Sequence, residues 1–152
     1  MSANQRISDL GITLPKVATP AGAYVPAVVS GNLVFTAGQI PLVDGKLVAT
    51  GKVGKDLSAD QAKEIARICA LNAVAAIKSV IGDLDRVTKV VKVVGFVSST
   101  PDFTAQPSVV NGASELLEQI FGDKGIHARS AVGVAVLPLD APVEVELVVE
   151  FN

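Results

Sequence analysis

Two segments of the chain carry apolar residues at the three- and four-residue spacing of an amphipathic helix. In the first segment the apolar positions are Ala62, Ile65, Ala66, Cys69, Ala73, Ala76, Ile77 and Val80. Ser58 and Gln61 have the spacing of a capping box, so this helix is predicted to start at Ser58 and to end at Gly82. The apolar positions of the second segment are Val109, Ala113, Leu116, Leu117 and Ile120, with Gly122 as the predicted stop.

Strands are predicted before, between and after the two helices. Two apolar runs within VPAVVSGNLVFTAG, residues 25–38, flank Ser30-Gly31-Asn32 and predict a hairpin with a tight turn. β-Branched residues predict a further strand from Val87 to about Val97. Two strands, Ser130–Leu137 and Val143–Phe151, are predicted to close the chain.

This order of elements predicts an α+β fold in which two helices lie on one face of a mixed β-sheet. The strand Ser130–Leu137 shows no polar alternation, because valines point to one side of it and small residues to the other. Its two sides are formed by Val132, Val134 and Val136, and by Ala131, Gly133 and Ala135. Hydrophobic residues make up 49% of the chain, and the mean hydropathy is +0.48. We therefore expect an oligomer whose subunits pack through the sheet face that the helices leave open.

The length of 152 residues fits a single domain. Residues 1–20 show little periodicity and predict an N-terminal arm, followed by one domain over residues 21–152. Within this domain, the Gly- and Lys-rich residues 43–56 predict an exposed loop. The polar start MSANQRISD lacks the apolar run of a signal peptide, and no segment has the roughly 18 uninterrupted apolar residues of a membrane span. These features predict a cytoplasmic protein without a membrane partner.

The charged and ligating residues argue against nucleic-acid and metal chemistry. The chain has 13 Lys and Arg against 15 Asp and Glu, for a net charge of −2, and aromatic residues make up only 4%. Nucleic-acid binding uses a basic surface and aromatic stacking platforms, so nucleic acid is not an expected partner. One His and one Cys do not build a typical zinc site, and Cys69 on the apolar helix face is expected to be an inert core thiol.

Arg129 is the residue that best fits a ligand-binding role. It stands at the start of the predicted strand Ser130–Leu137, beside its apolar residues. A guanidinium can hold a carboxylate through two hydrogen bonds, and such bonds are stronger where water is scarce. The plain alternative is a surface arginine that makes an ordinary ion pair at a strand end. On the last strand, Glu144 and Glu146 share one face, and they form either a solvated edge or a carboxylate that orients a water or a proton.

Arg129 and Glu144 would lie far apart if the last two strands formed a regular hairpin. Glu144 would lie opposite Val136, and Arg129 would lie roughly 20 Å farther along at about 3.3 Å per residue. A site shared by the two would then have to span a subunit boundary, or the strands would not be direct neighbours. His127 and Ser130 do not have the arrangement of a catalytic triad, and the sequence contains no phosphate-binding loop motif.

Three segments of the sequence carry a family resemblance. They are, in order, AYVPAVVSGNLVFTAGQIP, GDLDRVTKVVKVVGFV and HARSAVGVAVLPLDAPVEVELVVEF. The specific features are G-Q-x-P near the hairpin and A-R-S followed by V-x-V-x-x-L-P, taken as a pair. From about Gly22 to Phe151 the chain resembles the reactive intermediate deaminase family (RidA, also called YjgF), and at 152 residues it resembles a longer side branch of it.

The resemblance implies a chorismate mutase-like fold and a homotrimer with a ligand cleft at each subunit interface. In deaminating members, the arginine of A-R-S binds the carboxylate of a 2-imino acid, and a glutamate of the last strand positions the attacking water. The matching residues here are Arg129 and Glu144. Further cleft residues by the same matching are Tyr24, Gly38, Asn111 and Ala131. Because an imine is already activated, the chemistry implies no metal and no cofactor.

Two positions depart from the family pattern: Ala37 stands where serine is common, and Ser114 where an aromatic residue is common. The resemblance therefore supports two hypotheses. The first is hydrolytic deamination of small 2-imino or enamine acids to 2-keto acids and ammonia. The second, which the two departures favour, is a non-enzymatic homotrimer that binds a small carboxylate metabolite or a regulatory partner in the same cleft. Some relatives are labelled endoribonucleases, but one His, few aromatic residues and the negative net charge give RNA cleavage a lower weight.

Overall fold

The computed structural model describes residues 1–20 and 22–152. In these residues the α-helices are α1 (Ala3–Asp9), α2 (Ala59–Ile81) and α3 (Gln106–Phe121). The strands are β1 (Ala27–Ser30), β2 (Leu33–Thr36), β3 (Leu42–Val43), β4 (Lys46–Leu47), β5 (Val87–Ser98), β6 (Ala128–Val134) and β7 (Val143–Phe151). Short 3-10 helices cover Leu84–Arg86, Gly122–Gly125 and Pro138–Asp140.

The main sheet has five strands in the order β1-β2-β7-β5-β6. β1 and β2 form the predicted hairpin, in which Gly31 takes a φ of 60°. β5 pairs antiparallel with β7 and parallel with β6. The hairpin considered for the last two strands is therefore wrong, because β5 lies between them. The crossover through α3 places β6 at the sheet edge, and residues 135–142 pass the end of β5, where the Ser98 amide donates to the Pro142 carbonyl at 2.9 Å.

Helices α2 and α3 cover one face of the sheet, as the periodicity predicts. The capping box of Ser58 and Gln61 is present, and Gly82 ends α2 with a φ of 81°. The predicted apolar positions of both helices are buried, with the exception of Val80, which is 40% exposed. The sheet residues beneath the helices include Val34, Val90, Val93, Val97, Val143, Val145, Leu147 and Val149. These contacts confirm an α+β fold with two long helices on one sheet face.

The opposite face of the sheet is left uncovered by the three described helices. Along β7, buried residues alternate with half-buried Glu144, Glu146 and Val148. The register places these residues on one face with Val28, Phe35, Val94, Phe96 and Val132. Of these, Phe35 is 41% exposed and Val132 is 43% exposed. We call this surface the open sheet face; it is the surface on which the predicted oligomer depends.

The N-terminal segment contains a helix that the sequence analysis does not predict. Ser2 caps α1 by accepting a hydrogen bond from the Gln5 amide, and Ala3 is buried. At seven residues, α1 is too short to show a clear helical period in the sequence. The predicted boundary between residues 20 and 21 adjoins Ala21, which lies outside the described residues, so this division stays a prediction.

The predicted loop over residues 43–56 is only partly exposed. Val43 and Lys46 pair within the small sheet of β3 and β4, while Val53 is fully buried and bridges Ser99. β6 ends at Val134 rather than at the predicted Leu137, because its partner β5 also ends there. No helix in the described part of the chain combines the length and the apolar character that crossing a membrane requires.

Candidate functional site

Arg129 lies on the edge strand β6 and points to the helix side of the sheet. It pairs with the fully buried Val93, so its side chain shares the face that α3 covers. One guanidinium nitrogen, Nη1, donates to Asn111 Oδ1 at 2.8 Å and to Ser114 Oγ at 3.2 Å. Both acceptors stand on α3, three residues apart and on the same side of the helix. The guanidinium is thus half-buried and fixed at one end.

The other end of the Arg129 guanidinium is not used within the chain. Among the hydrogen bonds of residues 1–20 and 22–152, Arg129 donates only from Nη1. The salt bridge found in the same residues joins Lys63 and Glu115, so Arg129 does not make the ordinary ion pair of the plain alternative. Its Nε and Nη2 donors form one edge of a planar fork that can bind a carboxylate through two hydrogen bonds.

Glu144 lies on the open sheet face of β7, between the buried residues Val143 and Val145. Burial raises the pKa of the Glu144 carboxyl, and the like charge of Glu146 raises the same pKa further. The carboxyl is therefore easier to protonate than an ordinary one. A group of this kind can accept a proton from a bound water and return it during a reaction.

Gly38 lies directly against the Glu144 side chain. The bridge between Gln39 and Val145, with hydrogen bonds of 2.8 and 3.0 Å, holds the Gly38 backbone beside β7. A Cβ on Gly38 would lie 2.8 Å from both Cδ and Oε1 of Glu144. Position 38 therefore leaves room for the carboxylate only when it carries no side chain.

The structure does not bring Arg129 and Glu144 together in one chain. Arg129 is on the helix side of the sheet and Glu144 on the open sheet face. The register places them three residues apart along the strands and two strands apart across the sheet. At about 3.3 Å per residue and about 4.8 Å per strand, their Cα atoms are about 14 Å apart. A site that uses both side chains needs a second copy of the chain.

The other candidate residues divide between these two groups. Asn111 contacts Arg129 directly, and Ala131 follows Arg129 on the same side of β6, opposite Gly95. Gly38 contacts Glu144. Tyr24 is 56% exposed and lies before β1, so its ring is available to another molecule. One chain therefore presents an Arg129 group and a Glu144 group as separate parts.

Ser114 and His127 form a contact that the sequence analysis does not identify. Ser114 Oγ lies 2.9 Å from His127 Nε2, and His127 Nδ1 lies 2.6 Å from the Gly125 carbonyl oxygen. Ser130 is elsewhere: its hydroxyl accepts from Lys92 on the open sheet face. Ser114 stands three residues after Asn111 on α3, and this spacing is the signal that could have identified it.

Among the described residues, the remaining ligating side chains form no further site. Cys69 is buried, and burial is the largest cause of the strong rise in the pKa of its thiol, which makes the thiolate hard to form. Within the part of the chain that the structure describes, no three or more side chains of His, Cys, Asp or Glu lie close enough to bind one metal ion. The chemistry of the described site therefore rests on Arg129, Glu144 and their neighbours.

The chain matches a known protein family over almost its whole length. A family model described as "YjgF/chorismate mutase-like, putative endoribonuclease" matches residues 4–151. The chain belongs to the YjgF family. The resemblance seen in the A-R-S and G-Q-x-P motifs is confirmed, and the YjgF match extends to α1, ahead of the segments that carry those motifs.

Some relatives of the chain have names that state a reaction, and others do not. Protein TCP17 of Trypanosoma cruzi is 48% identical, over 96% of this chain and 92% of its own length. A 2-iminobutanoate/2-iminopropanoate deaminase of Salmonella typhimurium is 36% identical, over 84% of this chain and 86% of its own. The crystal structure of Atu1372, a protein of unknown function from Agrobacterium tumefaciens, has a TM-score of 0.91 at 43% identity and covers 99% of this chain and 92% of that chain. The chain is thus similar both to a deaminase and to proteins whose names state no reaction.

Proposed function

We propose that the protein is a hydrolytic deaminase of small 2-imino and enamine acids, which it converts to 2-keto acids and ammonia. The observation that carries the proposal is the state of Arg129: Nη1 is held by α3, whereas Nε and Nη2 have no partner among the described residues. A carboxylate fits this edge with two charge-assisted hydrogen bonds. The similarity to a 2-iminobutanoate/2-iminopropanoate deaminase supports the choice of substrate class.

The reaction uses the two groups of the site in different steps. Arg129 binds the substrate carboxylate and so fixes the position of the adjacent C=N carbon. Glu144 accepts a proton from a water as the water oxygen adds to that carbon. The proton then passes to the nitrogen, which gives a carbinolamine. The hydroxyl proton of this carbinolamine follows to the same nitrogen as the C–N bond breaks and the C=O bond forms, so ammonia leaves the 2-keto acid. The raised pKa of Glu144 suits a carboxylate that both takes up and releases the proton.

The proposal includes a homotrimer, because one chain holds its two groups on opposite sides of the sheet. The apolar residues of the open sheet face favour packing against other copies. Such packing would bring the Glu144 group of one copy to the β6 edge of another, where Arg129 lies. Each cleft would then take its carboxylate anchor and its water-positioning carboxylate from different subunits. We expect the enzyme to act in the cytoplasm.

A second candidate function is a trimer that binds a carboxylate metabolite or a regulatory partner without turning it over. The residues that favour it are Ala37, which offers no hydroxyl next to Gly38, and Ser114, which uses its hydroxyl within the chain. In this case the Arg129 edge would still bind a carboxylate. Thermal stability would then rise with 2-keto or amino acids while imine hydrolysis stayed at the uncatalysed rate.

The deciding experiment follows the loss of freshly generated 2-iminobutanoate or 2-aminoacrylate with and without the protein. We expect acceleration by the wild type and a loss of about 100-fold or more in Arg129→Ala, because the carboxylate anchor is gone. Arg129→Lys should also be poor, since an ammonium keeps the charge but lacks the planar fork. Arg67→Ala is the matched control, because Arg67 bonds to Gln119 on the outer surface of the helices. Absence of acceleration by the wild type, or an Arg129→Ala variant as active as Arg67→Ala, overturns the proposal.

A further inference from the structure

The contacts of Arg129 form a chain of hydrogen bonds whose direction can be assigned. A carbonyl oxygen only accepts, so the 2.6 Å contact to Gly125 makes His127 Nδ1 the donor. In the neutral imidazole, Nε2 is then an acceptor, and the Ser114 hydroxyl must donate its one proton to it at 2.9 Å. Ser114 Oγ is left with lone pairs only toward Arg129. Ser114 Oγ accepts from Nη1 at 3.2 Å, because a guanidinium only donates, and the single hydroxyl proton of Ser114 is directed away from Arg129 to His127 Nε2.

These contacts also decide which edge of Arg129 remains for a ligand. Nη1 carries two N–H bonds and has two acceptors, Asn111 and Ser114. A carboxylate that approached the end of the fork, between Nη1 and Nη2, would have to displace one of these acceptors. A carboxylate that approaches the side, at Nε and Nη2, displaces nothing. Saturation of Nη1 thus selects the side approach.

We propose that Ser114 and His127 are positioning residues that saturate Nη1 of Arg129, together with Asn111, and so make the Nε–Nη2 edge the carboxylate-binding edge. The proposal rests on the carboxylate-anchoring role proposed above for Arg129. It assigns a function to Ser114, which stands where the family pattern has an aromatic residue. A hydrocarbon ring has no oxygen that could accept a hydrogen bond from Nη1, whereas the Ser114 hydroxyl accepts one and also contacts His127.

A purely structural role for the same residues is the competing explanation. His127 ties the segment after α3 to the helix through Gly125 and Ser114, which could serve folding alone. The two roles differ in one measurable respect. Loss of a structural tie affects every ligand of the cleft, whereas loss of Nη1 positioning affects ligands that carry a carboxylate and spares an uncharged analogue.

The test measures binding of pyruvate and of its amide, pyruvamide, to the full-length protein by calorimetry. The variants are Ser114→Ala, His127→Leu, their double variant, His127→Gln and Arg129→Ala. We expect the preference for pyruvate over pyruvamide to fall about tenfold in Ser114→Ala, which is the effect of losing one hydrogen bond to a charged group. We expect a fall of similar size in His127→Leu, because the Ser114 hydroxyl then loses the acceptor that directs its proton away from Nη1. The double variant should lose no more than either single one, because both changes remove the same hydrogen-bonded chain.

His127→Gln is the conservative variant that separates the effect of the hydrogen-bond acceptor from the effect of side-chain volume. Its amide oxygen can accept from Ser114 where Nε2 does, so it should keep the preference for pyruvate, while His127→Leu has similar volume and no acceptor. Thermal unfolding of each variant checks that the fold is retained. If Arg129→Ala loses the preference while Ser114→Ala and His127→Leu keep it, the positioning proposal is wrong and the proposed function stands. If the wild type itself has no preference for pyruvate, the carboxylate-anchoring role fails and the positioning proposal falls with it.

Discussion

The Arg129 group and the Glu144 group of the same chain differ in how complete they are. Arg129 is held by neutral acceptors on α3, which leave its free edge in one orientation. Glu144 is half-buried beside Gly38, but its charge has no cationic partner among the described residues, and Glu146 adds a like charge. The chain thus fixes the proposed carboxylate-binding group by itself and leaves the proposed proton-handling group without a counter-charge among the described residues.

This difference follows from where the two groups lie in the sheet. The Arg129 group stands under the middle of α3, which supplies polar side chains from within the same chain. The Glu144 group stands on the open sheet face, where no described helix packs, and its neighbours there include Phe96 and the like-charged Glu146. In the proposed trimer another copy completes the second group, so the comparison is tested first on the oligomeric state.

The largest effect is expected from a charge placed on the open sheet face. Phe35→Glu should convert the proposed trimer to monomers and reduce the proposed imine hydrolysis by about 100-fold or more, because an unpaired carboxylate in an apolar interface costs several kcal/mol. Val80→Glu introduces the same charge at a residue of nearly equal exposure, 40% against 41%, but on helix α2. It should remain trimeric. Analytical ultracentrifugation decides the matter, and a wild type that sediments as a monomer would contradict the assembly.

The fold itself could be predicted because its signals are local. The capping box at Ser58, the glycine stops at Gly82 and Gly122 and the apolar stripes of both helices each depend on residues a few positions apart. Strand β7 has the predicted bounds, Val143–Phe151. The sequence signal is local, because apolar residues alternate with Glu144 and Glu146 along the first half of the strand. In contrast, α1 is a seven-residue helix held by tertiary contacts, and its short sequence carries no period that could be identified.

The sequence predicts individual residues of the candidate site but not how the fold arranges them. Arg129 and Glu144 are candidates from their strand positions and again from the motifs, and Gly38 is a candidate from the motifs alone; the contact of Gly38 with Glu144 gives a physical reason for glycine at that position. The placement of β5 between β6 and β7 could not be predicted, because adjacency along the chain favours a hairpin. The bond between Ser114 and His127 depends on how α3 packs over the end of β6, which no local pattern encodes.

A smaller effect is expected from a methyl group placed against Glu144. Gly38→Ala puts a Cβ 2.8 Å from the Glu144 carboxyl, which must move away. The carboxyl is the end of a flexible side chain, so the melting temperature should change by only a few degrees, whereas kcat should fall about tenfold because the water is no longer held in position. KM, which reflects the Arg129 group, should change little. Steady-state kinetics test this: a rise in KM with an unchanged kcat would show that Gly38 serves the carboxylate anchor instead.

The smallest effect concerns the pH at which Glu144 becomes active. The reaction needs the unprotonated carboxylate, and a raised pKa moves the acid limb of kcat/KM to higher pH than an ordinary carboxyl would give. Glu146→Gln removes the like charge and should move this limb to lower pH. Because burial is the larger cause, the limb should still lie above the ordinary carboxyl range. Glu150→Gln is the matched control, since Glu150 lies on the same strand and face but accepts a hydrogen bond from Thr88.

The raised pKa of Glu144 also makes the stability of the fold depend on pH. The direction of this dependence is opposite to that produced by a salt-bridged carboxylate. The folded state binds the Glu144 proton more tightly than the unfolded state does, so the stability from this group is present below the unfolded pKa. That stability is lost as the pH rises through the raised folded pKa. Glu144→Gln should therefore lose less thermal stability than the wild type between acid and neutral pH. If the melting temperatures of the two proteins instead change by the same amount across this pH range, the Glu144 carboxyl is already neutralised by a partner subunit.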